Sequence, residues 1–282
     1  MLNSSTSQRT LAGQTVVLTG SSSGIGEQAA YQMAQLGARV CLLARRRDEL
    51  ERVQSAIQAQ GGEAWVYPVD LTSDEQVRDC VAQILKDHSR VDALVNNAGR
   101  SIRRPIAEAL DRLHDYERTM QMNYTAPVRL TLALLPHFLA NGAGQVVNVS
   151  TMSTQVPIPL FSAYLASKSA LESFSRSLSL EMGDKGVKVS IVYFPMVRTP
   201  MSGRTDIYKH LPMMSASEAA GWLVKAVRDK PYRVSSPSGT VAHVALTAAP
   251  GTVIKLARPL FRLMDRRLAK KLNADKAANK NG

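Results

Sequence analysis

The sequence predicts an α/β fold in which a doubly wound parallel sheet of about seven strands carries helices on both faces. Short runs rich in Val and Leu alternate with segments of helical periodicity along the chain, as expected for parallel strands joined by crossover helices. A glycine-rich stretch, residues 19–26, separates the first strand from the first helix. A chain of 282 residues with 45% hydrophobic content can bury the core of one large domain.

The predicted strands are rich in Val and Leu, as strands buried on both faces should be. They lie at residues 15–19, 38–44, 64–69, 93–96, 145–149 and 187–193, with a seventh near 232–235. Predicted helices span residues 26–36, 47–60, 74–87, 110–139, 163–182 and 217–228. Ser215 and Glu218 have capping-box spacing at the start of the last helix. We assign residues 1–11 to a flexible N-terminus, 12–250 to the α/β domain and 251–282 to a basic C-terminal extension.

Charge and cysteine usage limit the function classes. Of the net charge of +12, residues from Lys255 onward supply +7, from nine basic and two acidic residues. No nucleic-acid-binding motif accompanies the charge, so nucleic-acid binding is not expected.

Cys41, Cys80 and the five histidines lack metal-ligand spacing, which predicts a reduced, cytoplasmic protein without a bound metal. The polar first ten residues do not resemble a signal peptide, and no apolar run reaches the roughly 20 residues of a membrane-spanning helix.

The C-terminal extension has an amphipathic pattern from Thr252 onward. Apolar residues cover about half of the predicted helix, and most basic residues fall on the other half. The apolar set is Leu256, Leu260, Phe261, Leu263, Met264 and Leu268, and the interleaved bases are Arg258, Arg262, Arg266 and Lys270. This pattern predicts peripheral contact with a membrane; a helix docked on the domain and a subunit interface are the alternatives.

The glycine-rich stretch predicts a dinucleotide site because it follows a strand and opens a helix. Gly20 permits the tight turn, Gly24 lets the backbone approach a pyrophosphate, and Gly26 lets the helix pack on the strand. The N-terminus of the helix then directs free N–H groups at the phosphates. A turn with a purely structural role is the alternative.

The end of the second predicted strand favours NADPH over NADH. Ala44 stands where NAD-binding proteins usually carry an acidic residue for the ribose, and Arg45 and Arg46 follow. A guanidinium binds a 2′-phosphate well, so Arg45 is the main expected contact and Arg46 the second; an exposed basic helix start is the alternative. Asp70 is placed to bond the adenine amine or, alternatively, to cap a helix.

Tyr164 and Lys168 are four residues apart on a predicted helix, so their side chains lie on one face, one turn apart. A cation beside a phenol favours the phenolate and lowers a pKa that starts at about 10. Tyr164 can then exchange protons near neutral pH. A surface tyrosine beside a solvated lysine is the alternative.

These motifs, with Asn96-Asn97-Ala98-Gly99 and Asn123, resemble the short-chain dehydrogenases/reductases over roughly residues 12 to 235. The resemblance implies a Rossmann-type fold, a nicotinamide cofactor and carbonyl–alcohol redox chemistry. It implies that Tyr164 is the general acid in reduction, that Lys168 bonds the nicotinamide ribose, and that Asn123 holds a water that relays protons. Asn96 would brace the sheet behind the cofactor. The family usually forms dimers or tetramers through helices corresponding to residues 110–139 and 163–182.

Two positions depart from the family pattern. The family usually places a serine thirteen residues before the tyrosine to bond the substrate carbonyl, and here that position is Thr151. We assign the role to Thr151, with Ser150 or Ser153 as alternatives; Ser150 would point to the opposite face of the strand. Where the family has Pro-Gly after the sixth strand, this chain has Pro195-Met196.

The cofactor-binding candidates are Gly20, Ser22, Ser23, Gly24, Ile25, Gly26, Arg45, Arg46, Asp70, Leu71, Asn97, Ala98, Gly99, Tyr164, Lys168, Val197 and Thr199.

The less generic segments resemble the bacterial fatty acyl-CoA reductases that form fatty aldehydes. They are residues 100–105, 113–120, 195–201, Tyr208, Pro212, 218–220, 233–234 and 239–240. We expect Arg100, Arg103 and Arg104 to bind CoA phosphates; a solvated basic loop or a salt-bridge role is the alternative. Alternative functions are an NADPH-dependent ketone or aldehyde reductase, a hydroxysteroid- or retinol-type dehydrogenase, and a non-catalytic regulatory protein on the same fold.

Overall fold

Seven parallel strands form one sheet in the computed structural model, which describes residues 10–156, 158–202, 213–259 and 261–262. The strands are β1 (Thr15–Thr19), β2 (Arg39–Ala44), β3 (Glu63–Pro68), β4 (Ala93–Asn96), β5 (Gly144–Thr151), β6 (Val187–Phe194) and β7 (Arg233–Val234). Their order across the sheet is β3-β2-β1-β4-β5-β6-β7, with every pairing parallel. The predicted doubly wound sheet is therefore confirmed.

Helices cover both faces of the sheet. They are α1 (Gly24–Gln35), α2 (Arg47–Gln58), α3 (Asp74–Asp87), α4 (Leu113–Met120), α5 (Ala126–Ala140), α6 (Ser162–Met182), α7 (Ala216–Asp229), α8 (Pro237–Ala248) and α9 (Pro250–Pro259). The predicted capping box is confirmed, because the Ser215 hydroxyl accepts from the Glu218 N–H while the Glu218 carboxylate accepts from the Ser215 N–H. Both ends of this side-chain pair satisfy N–H groups that the first turn of α7 leaves unpaired.

Two hydrophobic layers hold the helices to the sheet. One contains buried residues of α1, α2 and α7, such as Met33, Leu50 and Leu223, packed on Val16, Leu18 and Val147. The other contains residues of α3, α5 and α6 packed on the opposite face of the same strands, including Val17, Leu94 and Val146. Because successive strand residues point to opposite faces, neighbours in one strand contribute to different layers. This explains the continuous apolar runs in the sequence.

The region from 106 to 140 differs from the single predicted helix over 110–139. A short 3₁₀ turn, Ile106–Glu108, comes first, and α4 begins only at Leu113. A π-helical turn, Gln121–Thr125, then separates α4 from α5. The buried Asn123 lies in this turn, and its amide bonds the backbone of Arg100 in both directions. This tertiary contact has no counterpart in hydrophobic periodicity, so the pattern alone could not locate the break.

Helix α8 was not predicted. Its entry signals are present, since the Ser236 hydroxyl accepts from the Gly239 N–H at 3.1 Å and Pro237 occupies the first turn. The helix lacks the usual arrangement in which apolar residues face inward, because within it only Gly239 is buried. The first helix also begins at Gly24 rather than at residue 26.

The order of strands places a crevice between β1 and β4. From β1 the chain proceeds outward to β2 and β3, and it then returns to β4 on the other side of β1. Crossover connections therefore leave in opposite directions at this point, which separates the loops that follow the two strands. Ligands of open α/β sheets bind at such a crevice, outside the carboxyl ends of the strands.

Candidate active site

The loop after β1 has the backbone shape predicted for a phosphate-binding turn. Gly20 and Gly24 have φ values of +68° and +60°, a region that favours glycine. A Cβ on Gly26 would lie 2.2 Å from the Gly20 carbonyl oxygen, so Gly26 lets α1 pack on the loop itself. Ser23 is the N-cap residue of α1 and its hydroxyl makes no capping bond. The loop thus presents N–H groups and the Ser23 hydroxyl at the start of the helix.

Three further cofactor-binding candidates lie in or next to the glycine-rich stretch. Ser22 is 9% exposed, and Ile25 is half-buried against the layer formed by α1, α2 and α7. Thr199 lies opposite Gly24, where an added Cβ would be 3.4 Å from the Thr199 side chain. Ser202 anchors this segment by donating its hydroxyl to the Val197 carbonyl at 2.9 Å. The structure therefore brings the segment after β6 to the glycine loop.

The loop after β4 is fixed to β1 through Thr19. The Thr19 hydroxyl accepts from the backbone N–H groups of Asn97 and Ala98 at 3.0 and 2.9 Å, and the Asn97 amide donates to the Thr19 carbonyl at 3.0 Å. Asn96 braces the other side, donating to the Asn148 side chain at 2.9 Å across β4 and β5. Both asparagines therefore hold the crevice in shape, and the Asn97 side chain is committed to β1.

The ends of β2 and β3 bring Arg45 close to Asp70. Two hydrogen bonds from Thr72, first from its N–H at 2.9 Å and also from its hydroxyl at 2.8 Å, hold the pKa of the Asp70 carboxyl below its usual range, and the charge of Arg45 adds to the effect. Ser73, not Asp70, caps α3. The capping alternative for Asp70 is therefore wrong. Leu71 is buried beside it at 6% exposure.

Arg45 and Arg46 differ in their contacts with acidic side chains. Arg45 is exposed at the start of the loop after β2. The Arg46 guanidinium is 3.2 Å from the Glu49 carboxylate on α2, and Arg47 pairs in the same way with Glu51. Surface pairs of this kind are weak, so Arg46 remains able to turn toward a ligand, but at the cost of its existing contact.

Asn123, Gly99 and Lys168 meet at the carboxyl edge of the sheet. A Cβ on Gly99 would lie 3.3 Å from the side-chain Oδ1 of Asn123 and 3.5 Å from the Lys168 Nζ. The Asn123 amide donates to the Ser167 hydroxyl at 2.9 Å, and this hydroxyl donates to the Tyr164 carbonyl at 2.7 Å. The π-helical turn and α6 are thereby held together at the turn that carries Tyr164.

Lys168 is 2% exposed, and its ammonium donates to the Val149 carbonyl at 2.7 Å. Burial lowers the pKa of Lys168 to about 8, and the charge of Glu172 partly opposes this change. Tyr164 is half-buried one turn earlier, with its ring centroid 6.4 Å from that of Phe161. The spacing predicted from the sequence thus places the phenol and the ammonium on one face of α6.

Thr151 and Ser150 lie on opposite sides of β5. The Thr151 hydroxyl accepts from the Ser153 N–H at 3.2 Å and has a long contact of 3.5 Å to the Phe194 carbonyl. A donor held so weakly can turn to a substrate oxygen. The Ser150 hydroxyl instead donates to the buried Glu172 carboxylate. Ser153 is half-buried in the 3₁₀ turn after β5. The Thr151 hydroxyl is therefore held only by long contacts, whereas the Ser150 hydroxyl is bonded to Glu172.

The three arginines in the loop after β4, at positions 100, 103 and 104, differ in exposure and in salt bridges. Arg100 is exposed, and Arg103 is half-exposed. The Arg104 guanidinium lies 3.2 Å from Asp115, a carboxylate of 5% exposure that also contacts Arg112 at 3.1 Å. Arg104 thus adopts the salt-bridge alternative, while Arg103 keeps an accessible side chain. Tyr208 and Pro212, which carried part of the resemblance, lie outside the described residues.

The sequence reasoning missed three residues that shape the site: Thr19, Ser167 and Glu172. Glu172 could have been found, since it is one helical turn beyond Lys168 in the same direction that leads from Tyr164 to Lys168. Thr19 and Ser167 act through tertiary contacts that no local spacing shows. Among the described residues, no group of three or more His, Cys, Asp or Glu is placed to hold a metal ion.

Comparison with known proteins identifies relatives. The family model described as short chain dehydrogenase matches residues 14–208. The chain is 44% identical over 238 residues to a fatty acyl-CoA reductase of Acinetobacter baylyi, covering 84% of this chain and 81% of that protein. It is 45% identical over 237 residues to a fatty acyl-CoA reductase of Mycobacterium tuberculosis, covering 84% and 80%.

Among solved structures, a metagenomic short-chain oxidoreductase in complex with NADP superposes with a TM-score of 0.69 at 29% identity. The match covers 79% of this chain and 96% of that one. The two chains therefore share the fold over nearly the whole of that oxidoreductase.

Proposed function

This chain belongs to the short chain dehydrogenase family, and we propose that it is an NADPH-dependent reductase that converts a long-chain fatty acyl-CoA thioester to the fatty aldehyde. One observation carries the reaction type: the buried Lys168 ammonium donates to the Val149 carbonyl one helical turn from Tyr164. A phenol and an ammonium in this arrangement at the carboxyl edge of the sheet are suited to moving a proton to a carbonyl oxygen.

The loops around the crevice fit a dinucleotide. The left-handed Gly20 and Gly24 and the uncapped start of α1 form a cradle for a pyrophosphate. Arg45 is accessible where a 2′-phosphate would lie, and the end of β2 has no carboxylate to repel it. The solved relative that carries NADP supports the same choice of cofactor. Gly99 leaves the space beside Lys168 and Asn123 open for the nicotinamide end.

When bound, NADPH supplies the hydride that adds to the thioester carbonyl carbon. Tyr164 donates its phenolic proton to the carbonyl oxygen, which gives a hemithioacetal. The carbon–sulfur bond then breaks, the hydroxyl proton passes to the sulfur, and the products are the aldehyde and CoA thiol. The Lys168 ammonium stabilises the phenolate that remains on Tyr164, and Asn123, fixed by Arg100 and Ser167, holds the water that replenishes the proton. Thr151 orients the carbonyl oxygen by donating its hydroxyl.

The choice of acyl-CoA rests on the two fatty acyl-CoA reductases, each matched over more than four fifths of this chain. The chemistry is compatible with this choice because hydride reduction of a thioester needs no acyl-cysteine. Cys41 and Cys80 are both buried, and burial raises the pKa of each thiol, so neither is suited to act as a nucleophile. Arg103, which is partly exposed and has no salt-bridge partner in the described part of the chain, is the base assigned to a CoA phosphate.

The test is to follow NADPH oxidation with a panel of acyl-CoAs, long-chain aldehydes and steroid ketones while trapping any aldehyde formed. We expect acyl-CoA-dependent oxidation with the aldehyde as product. Tyr164→Phe is the control, since it keeps the ring but removes the proton, and it should reduce the rate by about 10²-fold or more. Oxidation with ketones alone would contradict the substrate assignment and leave the general reductase.

The protein is also proposed to form a homodimer or homotetramer. The helices expected at the interface expose large apolar side chains in the single chain: Leu113 at 69%, Leu132 at 55% and Leu180 at 84%. Sedimentation velocity of the full chain tests this proposal directly. A monomer at all concentrations would contradict it.

A further inference from the structure

Helix α8 presents an apolar stripe to the solvent. Val241, Val244, Ala245 and Ala248 are all exposed, and their spacing of three, four and seven residues places them on one face. Val241 is 70% exposed and Val244 is 61% exposed. The apolar face of a surface helix normally packs on the core, whereas that of α8 points to the solvent.

The neighbouring helix α9 combines apolar and basic side chains. Ile254 and Leu256 are 42% and 72% exposed, and Lys255 and Arg258 are exposed beside them. Residues 237 to 254 contain no Asp, Glu, Lys or Arg, whereas the chain from Lys255 onward carries nine basic and two acidic residues. An uncharged apolar segment is thus followed directly by a strongly basic one.

The first turn of α8 adjoins the candidate active site. A Cβ on Gly239 would lie 2.9 Å from Gln155 Oε1 and 3.0 Å from Met152 Cε, and the Ser236 hydroxyl contacts the Met152 sulfur at 3.3 Å. Met152 directly follows Thr151. The start of α8 therefore packs on the turn that leaves β5 at the site.

We propose that the α8–α9 surface, made of Val241, Val244, Ile254, Lys255 and Leu256, docks on the face of an anionic phospholipid bilayer. Exposed aliphatic side chains insert at the boundary between headgroups and acyl chains, and the adjacent bases attract acidic headgroups. Docking is independent of the reaction; only delivery of a lipid substrate to the adjacent site rests on the proposed function.

The geometry favours this mode of contact over insertion across the membrane. In the part of the chain that the structure describes, no one helix combines the length and hydropathy of a membrane span. Helices α8 and α9 would suffice together, but they are bent by 116° relative to one another. Lys255 and Arg258 give this surface the same positive charge in every copy, and this favours an acidic partner over a second copy.

The test is co-sedimentation of the full chain with vesicles of phosphatidylcholine alone or mixed with phosphatidylserine. The test variant is Val241→Glu with Val244→Glu. The matched control is Ser55→Glu with Gln58→Glu, which adds the same charge at the same spacing on exposed positions of α2. We expect binding to mixed vesicles, weaker binding to phosphatidylcholine alone, and about tenfold or greater loss in the α8 variant. The control should bind like the unaltered chain.

Two outcomes would overturn the proposal. One is equal vesicle binding by the α8 variant and the unaltered chain. The other is a change in oligomeric state of the α8 variant without any vesicle binding by the unaltered chain, which would make this surface an interface between copies. Reduction of a long-chain acyl-CoA, measured without vesicles, separates the two proposals. Its absence would remove the acyl-CoA assignment but leave the vesicle result unaffected.

Discussion

Lys168 and Glu172 lie one turn apart on α6, and both are buried against β5, at 2% and 6% exposure. The lysine donates to the Val149 carbonyl, and the glutamate accepts from the Ser150 hydroxyl. Two consecutive residues of β5 thus fix two ionisable groups of the same helix. Burial disfavours the charged form of the lysine, and the negative charge of Glu172 one turn away favours it.

We predict that Glu172→Gln shifts the pH dependence of reduction. Lys168 must be protonated to stabilise the Tyr164 phenolate, so activity should fall as the pH rises through the lysine pKa of about 8. Removing the carboxylate disfavours the ammonium further and lowers this pKa. The alkaline limb of kcat/KM should therefore move to lower pH by about one pH unit. Burial and the charge of Glu172 raise the pKa of Tyr193, so that neighbour stays neutral in this range.

Ser150→Ala is the control for this prediction. It removes the hydrogen bond to Glu172 but keeps the negative charge, so it should change stability more than it changes the alkaline limb. If Glu172→Gln lowered kcat equally at every pH, Glu172 would have only a structural role.

Thr151 can be tested by separating its hydroxyl from its shape. Thr151→Val keeps the branched side chain and removes the donor, and we expect a loss of about 10²-fold in kcat. Thr151→Ser keeps the donor and should retain activity within about threefold. Steady-state kinetics with a fixed acyl-CoA provide the measurement. Full activity in the valine variant together with inactivity of Ser153→Ala would transfer the role to Ser153.

The cofactor preference should depend on Arg45 more than on its neighbours. Arg45→Ala should raise the KM for NADPH by about tenfold or more, because a charge-assisted bond to the 2′-phosphate is lost, and should leave the KM for NADH unchanged. Arg47→Ala is the matched control, since Arg47 is also exposed and pairs with Glu51. An equal effect of both variants on NADPH would indicate a general charge effect rather than a contact.

Arg103 and Arg104 should give different results although they are adjacent. Arg103→Ala should raise the KM for acyl-CoA severalfold while the KM for a free aldehyde stays the same. Arg104→Ala removes a partner of the buried Asp115, so its main effect should be a lower Tm. Thermal unfolding and substrate kinetics of the two variants separate these roles. An unchanged KM in Arg103→Ala would remove the proposed CoA contact.

Gly26→Ala should damage the glycine loop. The added Cβ would lie 2.2 Å from the Gly20 carbonyl oxygen and 2.7 Å from the Asn97 amide nitrogen, and such overpacking costs about 1–3 kcal/mol. We expect lower stability and at least about tenfold weaker NADPH binding by fluorescence titration. Gly221→Ala on α7 is the control, because its nearest contact would be an ordinary 3.9 Å. Normal binding by Gly26→Ala would contradict the close approach of loop and helix.

Local patterns in the sequence suffice to predict the sheet and the spacing along α6. Val- and Leu-rich strands in alternation with helices are a local pattern, and residues four apart on a helix share a face whatever the rest of the chain does. The predicted strands therefore agree with the observed ones to within a residue or two, and Tyr164 and Lys168 lie on one face as expected.

The partners of the hydroxyls, amides and charged groups depend instead on tertiary contacts. Contacts between residues distant in the chain set the π-helical turn at Asn123, the bond from Ser150 to Glu172, the salt bridge from Arg104 to Asp115 and the bracing of Thr19 by Asn97. Helix α8 also depends on tertiary structure. Its apolar face points to the solvent, whereas prediction from periodicity assumes that the apolar face of a helix packs on the core. Local spacing determines which residues share an element, whereas the packing of elements determines which partners each polar group finds.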